Sequence, residues 1–214
     1  MQGGMLRFLY GDELVRLPQL RETMFKDRAT QFRQRLGWDV CVDANGWERD
    51  EYDAHNPLYV IWQGRDGRHG GSMRFLPTLG PTMLNDHFSA LSGVHRFSHP
   101  KTWECTRFCL SEGAAPNISA ALMLGGAQVG SSLGLARAVG VFDARMVRIY
   151  RHLGWAPKVL GTQGIGKEAI SLGLWEFSEN IRRSLATKAG ISADLSRHWF
   201  DQARGGENQL SAAG

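Results

Sequence analysis

Two short extended segments, residues 58–62 and 71–76, flank Gln63-Gly64-Arg65-Asp66-Gly67-Arg68, whose Asp-Gly pair is a strong hairpin signal. A lone hairpin is barely stable in water and needs further strands or a packed helix. The rest of the chain supplies both. Residues 5–10 read as a first strand, 102–110 as another, 136–142 as a buried strand, and 155–161 and 169–177 as two late ones. Helices fall between them. One starts at Pro18, suited to a first turn, and carries Leu20, Met24, Phe32 and Leu36 at helical spacing until Gly37 and Trp38 end it. Others are predicted over 83–91, 118–133 and 178–188, and from an Asp143 N-cap through His152 to a Gly154 C-cap. Helices, then strands, then alternating helix and strand predict an α/β domain: a mixed central sheet with helices on both faces, in three layers. A single domain is expected over residues 1–201, with the Gly-, Asn-, Ser- and Ala-containing 202–214 as a frayed tail.

Composition narrows the class. With 214 residues, 43% of them hydrophobic, the chain can bury a sizeable core without staples. Its cysteines, Cys41, Cys105 and Cys109, are odd in number and form no Cys-x-x-Cys, which argues against a disulfide framework and against a zinc site, so no metal is expected. No apolar run reaches the ~18 residues of a membrane span, and residues 1–10 lack a secretory pattern. A cytoplasmic protein with no membrane association is expected. The net charge of +4, from 25 Lys and Arg against 21 Asp and Glu, is dispersed. Without a helix-turn-helix or RNA-binding signature, it does not point to nucleic acid.

Common catalytic motifs are missing. Gly125-Gly126 belongs to neither a Walker loop nor a Gly-x-Gly-x-x-Gly, and reads as small residues packing a helix on a sheet. Cys105 has no recognisable base, and there is no Gly-x-Ser-x-Gly elbow. The ions are the stronger lead. Arg28 falls within the apolar stripe of the first long helix, where a buried guanidinium needs an anion. Asp50 and Asp53 follow in an acidic stretch, and Arg74 lies in a strand. Regular alternation along 102–110 would point Trp103, Cys105, Arg107 and Cys109 one way and Glu104, Thr106, Phe108 and Leu110 the other, leaving Glu104 and Arg107 on opposite faces. Paired charges among Phe32, Trp38, Phe75, Trp103 and Phe108 suit a pocket for a small zwitterionic, partly aromatic ligand.

The order of these residues resembles the acyl-homoserine-lactone synthases, the autoinducer synthases of bacterial quorum sensing. The likeness runs through Arg28-Ala-Thr-Gln-Phe32-Arg-Gln-Arg35-Leu36-Gly37-Trp38, Glu48-Arg-Asp50-Glu-Tyr52-Asp53 and Arg74-Phe75-Leu76-Pro77-Thr78. It continues through Met83-Leu84 with Phe88, Trp103-Glu104 with Arg107-Phe108, Val141 with Asp143-Ala-Arg145-Met146, and Gly154-Trp155. The resemblance implies a GNAT-like acyltransferase fold with a central mixed sheet splayed into a V. It implies S-adenosylmethionine as amine donor, a substrate rather than a cofactor, and an acylated acyl carrier protein, less often acyl-CoA, as acyl donor. N-acylation followed by lactonisation would release methylthioadenosine. The rival expectation is an N-acyltransferase that takes acyl-CoA and another amine.

Residue roles follow from the same resemblance. Glu104 is the first choice of general base, directly or through one water, with Asp50 second and Arg107 beside them. Arg28, Phe32, Trp38, Asp50, Asp53, Arg74 and Phe108 are expected around S-adenosylmethionine, the rings through stacking and cation–π contact. Met83, Phe88, Leu122, Met123, Gly140, Phe142, Met146 and Trp155 are expected along the acyl chain. Gly140 stands where many relatives that favour 3-oxo chains carry threonine, which leans toward an unsubstituted chain. Arg145, Arg148, Arg151 and Lys158 are expected to dock the acidic carrier protein.

Overall fold

The computed structural model describes residues 3–93, 96–166 and 169–211, with the side chains at 144, 145 and 206–211 outside that set. Among the described residues one sheet holds seven strands: β1 (Gly4–Tyr10), β2 (Leu58–Gly64), β3 (His69–Pro77), β4 (Thr102–Leu110), β5 (Arg137–Asp143), β6 (Lys158–Gln163) and β7 (Ile170–Glu176). Their order is β1-β2-β3-β4-β5-β7-β6. The hairpin read at 63–68 joins β2 to β3, and β1 to β4 run antiparallel. β4 and β5 are parallel, and their ladder lasts only from Thr102↔Arg137 to Glu104↔Val139. Beyond that point the two strands part, which is the expected V. β5 then pairs along its whole length with β7.

Helices cover both faces. The short α1 (Gly11–Leu14) precedes α2 (Pro18–Ala29), which opens on Pro18 and buries Leu20, Met24 and Phe25 against Tyr59 and Ile61. α2 runs on as a π-helical turn, Thr30–Arg35, closed by Leu36 N–H donating to Gln31 O. Such turns recur at functional sites. α3 (Met83–His87) lies on the same side of the sheet, with Leu84 against Val139 and Leu172. On the other side, α4 (Ile118–Ser132) packs with α5 (Ala144–Leu153), α6 (Glu179–Ala189) and α7 (Ala193–Ser211). A Cβ at Gly125 would lie 2.5 Å from Val60 Cγ1, so the glycine pair is indeed there to let a helix lie on a sheet.

Three expectations are corrected. The strand placed at 155–161 is Lys158–Gln163. The tail expected from 202 is instead helical to Ser211, because α7 has a partner: Arg204 donates to Phe8 O and pairs with Glu13. The third concerns β4, which is not regular. Ser72 faces Cys109 and Arg74 faces Thr106, so Met73 alone faces both Arg107 and Phe108. This is a β-bulge, with Arg107 at φ 55°. It shifts the alternation by one, putting Arg107 on the face of Glu104 and Thr106 and sending Phe108 to the other.

Candidate active site

The bulge completes an ion cluster that α2, the 3-10 turn Glu51–His55, β3 and β4 assemble from distant sequence positions. Arg28 donates through Nε to Glu48 at 2.6 Å and through both Nη atoms to Asp53 at 3.0 Å. Arg74 pairs with Asp50 and, at 2.8 Å, with Asp53. Arg107 reaches Glu48 at 2.9 Å and Asp50 at 2.8 Å. Tyr59 donates its hydroxyl to Asp53. Three guanidiniums thus meet three carboxylates, and the buried charge sums to zero. Burial alone would depress Arg28 and raise Asp53, but their mutual attraction wins, holding Arg28 above and Asp53 below their ordinary ranges. Glu48 is absent from the expected site residues although it bridges Arg28 and Arg107 from full burial. Its position in the acidic motif was the available signal.

These partners decide roles. Asp50 accepts from Arg74 and the backbone N–H of Tyr52 and is ion-paired with Arg107, and the guanidiniums outweigh its burial to hold it below the carboxylate range. It is a poor base near neutral pH. Arg28, Asp53 and Arg74 lie behind the wall of the cavity described below and shape it rather than line it. Glu104 differs. It is buried, and its carboxylate accepts from Met83 N–H at 3.1 Å and Leu84 N–H at 2.6 Å in the first turn of α3. Burial raises it to about 7, and the two amides and Arg74 pull against that without cancelling it. Arg74 is shared with Asp50 and Asp53, so its pull on Glu104 does not offset burial.

A cavity of about 660 Å³ opens beside the cluster and runs into the V between β4 and β5. Its outer part is lined by Phe32, Trp38, Glu48, Asp50, Glu51, Tyr52 and Arg107. Gly37 at φ 68° turns the chain so that Trp38 folds back on Phe32, ring centroids 5.2 Å apart and nearly parallel at 13°. Arg107 also sits over Phe32, at 5.4 Å. Trp38 remains 37% exposed and keeps ring surface open at the mouth.

The inner part is apolar. Of the residues expected along an acyl chain, Met83, Phe88, Met123, Gly140, Phe142, Met146 and Trp155 line this cavity, and Tyr150, Cys105 and Trp175, which the sequence reading missed, line it too. Leu122 does not. It turns toward the sheet, where a Cβ on Gly71 would touch it at 2.9 Å. Phe108, expected near S-adenosylmethionine, stands through the bulge in the inner part with its ring edge to Tyr150. Cys105 is no nucleophile: burial pushes its thiol up to about 12, and its Sγ lies 3.9 Å from Met73 Sδ. Arg148, Arg151 and Lys158 are exposed on α5 and at the start of β6, whereas the side chain of Arg145 lies outside the described residues. Among the described residues no helix is long and apolar enough to cross a membrane.

Comparison with known proteins bears on this site. The family model described as autoinducer synthase matches residues 13–185. An acyl-homoserine-lactone synthase of Rhizobium etli is 39% identical over 195 residues, covering 85% of this chain and 88% of the relative. One of Agrobacterium fabrum is 33% identical over 159 residues, covering 70% and 75%. Among solved structures, the acyl-homoserine-lactone synthase LasI superposes with a TM-score of 0.74 at 26% identity, over 87% of this chain and 96% of its own. BjaI, a CoA-dependent acyl-homoserine-lactone synthase solved with SAM and isopentyl-CoA, shares the fold at TM-score 0.79 and 20% identity, over 88% and 90%. An acyl-CoA N-acyltransferase of Pseudomonas aeruginosa is a more distant likeness of fold, with a TM-score of 0.52 at 15% identity over 79% of this chain and 98% of its own. Since the family match spans most of the chain and includes the ion cluster and both strands of the V, the chain belongs to the autoinducer synthase family and is an acyltransferase.

Proposed function

We propose that this chain acylates the amine of S-adenosylmethionine from a thioester donor and then closes the lactone, making an acyl-homoserine lactone and releasing methylthioadenosine. One observation carries the reading: a single cavity joins a mouth of rings and ions, Trp38 with Asp50 and Arg107, to an apolar interior in the V. The mouth suits a sulfonium amino acid with an adenine, and the interior suits an acyl chain.

The chemistry follows from the charges. The ammonium must lose a proton before its nitrogen can attack the thioester carbonyl. Glu104, at about 7, is matched to that task near neutral pH, and Asp50 is not. Glu104 lies just behind the cavity wall, so the proton reaches it through one water. The new C–N bond forms as the C–S bond of the thioester breaks, and the thiol leaves. The methionyl carboxylate then attacks its own γ-carbon, the C–S bond of the sulfonium breaks, and methylthioadenosine departs. No cofactor enters these steps.

We further propose an acylated carrier protein as donor. Arg148, Arg151 and Lys158 are exposed on α5 and at the start of β6 and suit an acidic partner. CoA dependence, stated for BjaI, is the second reading. The experiment is mass spectrometry of products from purified protein, S-adenosylmethionine and matched acyl-carrier-protein or acyl-CoA donors. An acyl-homoserine lactone with equimolar methylthioadenosine is expected. An amide formed only with some other amine would refute the reading.

A further inference from the structure

Three hydroxyl side chains line the cavity: Tyr52, Thr106 and Tyr150. Tyr52 donates to Asp86 at 2.9 Å, and Thr106 accepts from Arg74 Nε at 3.0 Å. Tyr150 differs. Its ring is 7% exposed and is boxed edge-to-face by Trp175 at 5.0 Å, Phe142 at 5.4 Å and Phe108 at 6.4 Å. Three such contacts leave the ring little freedom. Yet its hydroxyl makes no hydrogen bond among the described residues, and it is not sealed off from the cavity that Tyr150 lines. Neighbouring polar groups are turned elsewhere: Trp175 Nε1 donates to Trp155 O at 3.0 Å and Cys105 Sγ is turned to Met73. Burial raises the Tyr150 phenol and Asp143 is near enough to add to that rise, but it accepts no hydrogen bond from the phenol among the described residues. A phenylalanine would fill this place without stranding a donor, so the hydroxyl requires a partner from within the cavity.

Its position says which partner. Gly140 is the first residue of β5 beyond the last β4–β5 pair, at the apex of the V. A Cβ there would meet Cys105 O at 2.6 Å and Trp175 Cζ3 at 3.5 Å, so β5 has no room to present a hydroxyl. Trp175 touches Tyr150 as well, which places the tyrosine across the same small space. A chain whose thioester lies in the gap passes this space within its first few carbons. We infer that Tyr150 is a specificity-determining residue that donates to an oxygen on the acyl chain close to the thioester, so that 3-hydroxy or 3-oxo acyl groups are favoured over unsubstituted ones. The unsubstituted chain expected from Gly140 alone is thereby replaced, because α5 supplies the donor that β5 omits. The inference rests on the proposed acylation of S-adenosylmethionine.

The test compares the native chain with Tyr150→Phe on unsubstituted, 3-hydroxy and 3-oxo thioesters of equal length on the same carrier, with lactone measured by mass spectrometry. In the native chain kcat/KM for one of the oxygenated donors exceeds that for the unsubstituted donor by about tenfold or more, because an unmet donor is costly in a dry pocket. In Tyr150→Phe that ratio collapses toward one, and the donor that loses more identifies the oxygen read. An unfolding midpoint measured alongside shows that the ring box is intact. An equal ratio in both proteins, or a loss shared equally by all donors, overturns the inference while leaving the function standing. No lactone from any thioester overturns the function, and the inference with it.

Discussion

Replacing Glu48 by glutamine should cost far more than its size suggests. The carboxylate is fully buried and accepts two guanidinium N–H groups, Arg28 Nε at 2.6 Å and Arg107 Nε at 3.1 Å, with Arg107 Nη2 ion-paired at 2.9 Å. Glutamine keeps one acceptor oxygen and turns an NH₂ toward the other arginine, donor against donor. The cluster, neutral with three arginines and three carboxylates, becomes +1 in a buried place. Removing one partner of a buried pair costs about 3–5 kcal/mol. For a domain of this size that is roughly 6–20 °C in Tm. Arg107 also loses a tether. Its φ of 55° is a strained conformation costing on the order of 1–3 kcal/mol, and with the Glu48 charge gone Asp50, at 2.8 Å, is the one carboxylate of the cluster still paired with it. Activity should therefore fall even below the new Tm. Urea unfolding is the assay: the midpoint should drop with an unchanged slope. The loss should persist in high salt, because buried pairs are poorly screened. In a cycle with Arg107→Met, the two losses should fall well short of additive. A loss below about 1 kcal/mol, or one erased by salt, would show that the cluster is solvated and that the charge balance has been misread.

Two further outcomes follow from the site. Glu104 must be deprotonated to accept a proton, so kcat/KM should rise with pH through about 7 and level off above it. Glu104→Gln should flatten that limb and slow turnover, and a limb surviving in the variant would remove Glu104 as base. The same shift bears on stability with a definite sign. Because the folded value lies above the ordinary 4.5, Glu104 stabilises the fold below pH 4.5 and that contribution is lost as pH rises through about 7, whereas Asp50 and Asp53, held low, stabilise above pH 3.8 and lose that on acidification. Gly140→Ala should destabilise by about 1–3 kcal/mol, read as a lower urea midpoint, because its Cβ would lie 2.6 Å from a backbone oxygen of β4 and the strands must part to admit it. An unchanged midpoint would mean that the V opens freely at its apex.

What the sequence made legible was periodic, and what it hid was a departure from period. The hairpin and the layers follow from alternating apolar residues and turn glycines, which local patterns report faithfully, whereas the V was expected from the family resemblance alone. Arg28 was legible because a guanidinium in an apolar stripe demands an anion, although spacing could not say that Glu48 and Asp53 share that task. The bulge at Arg107 was hidden. Nothing in Thr-Arg-Phe-Cys marks one extra residue, and a strict alternation put Arg107 and Phe108 each on the wrong face. α7 was hidden as well, since its helix is supported by packing on β1 and α4 rather than by local propensity. The bulge also ties the ions to the acyl chain. By moving one residue it delivers the third guanidinium that balances Glu48 and Asp50, and the following ring, Phe108, that braces Tyr150. Behind the cluster, burial lifts the Glu104 carboxyl to about 7, where a base for an amine is useful, and Arg74, shared with Asp50 and Asp53, does not cancel that rise. A regular β4 would leave Arg107 facing the interior, an unbalanced carboxylate pair behind the mouth and no ring beside Tyr150, so one irregular peptide sets both halves of the cavity.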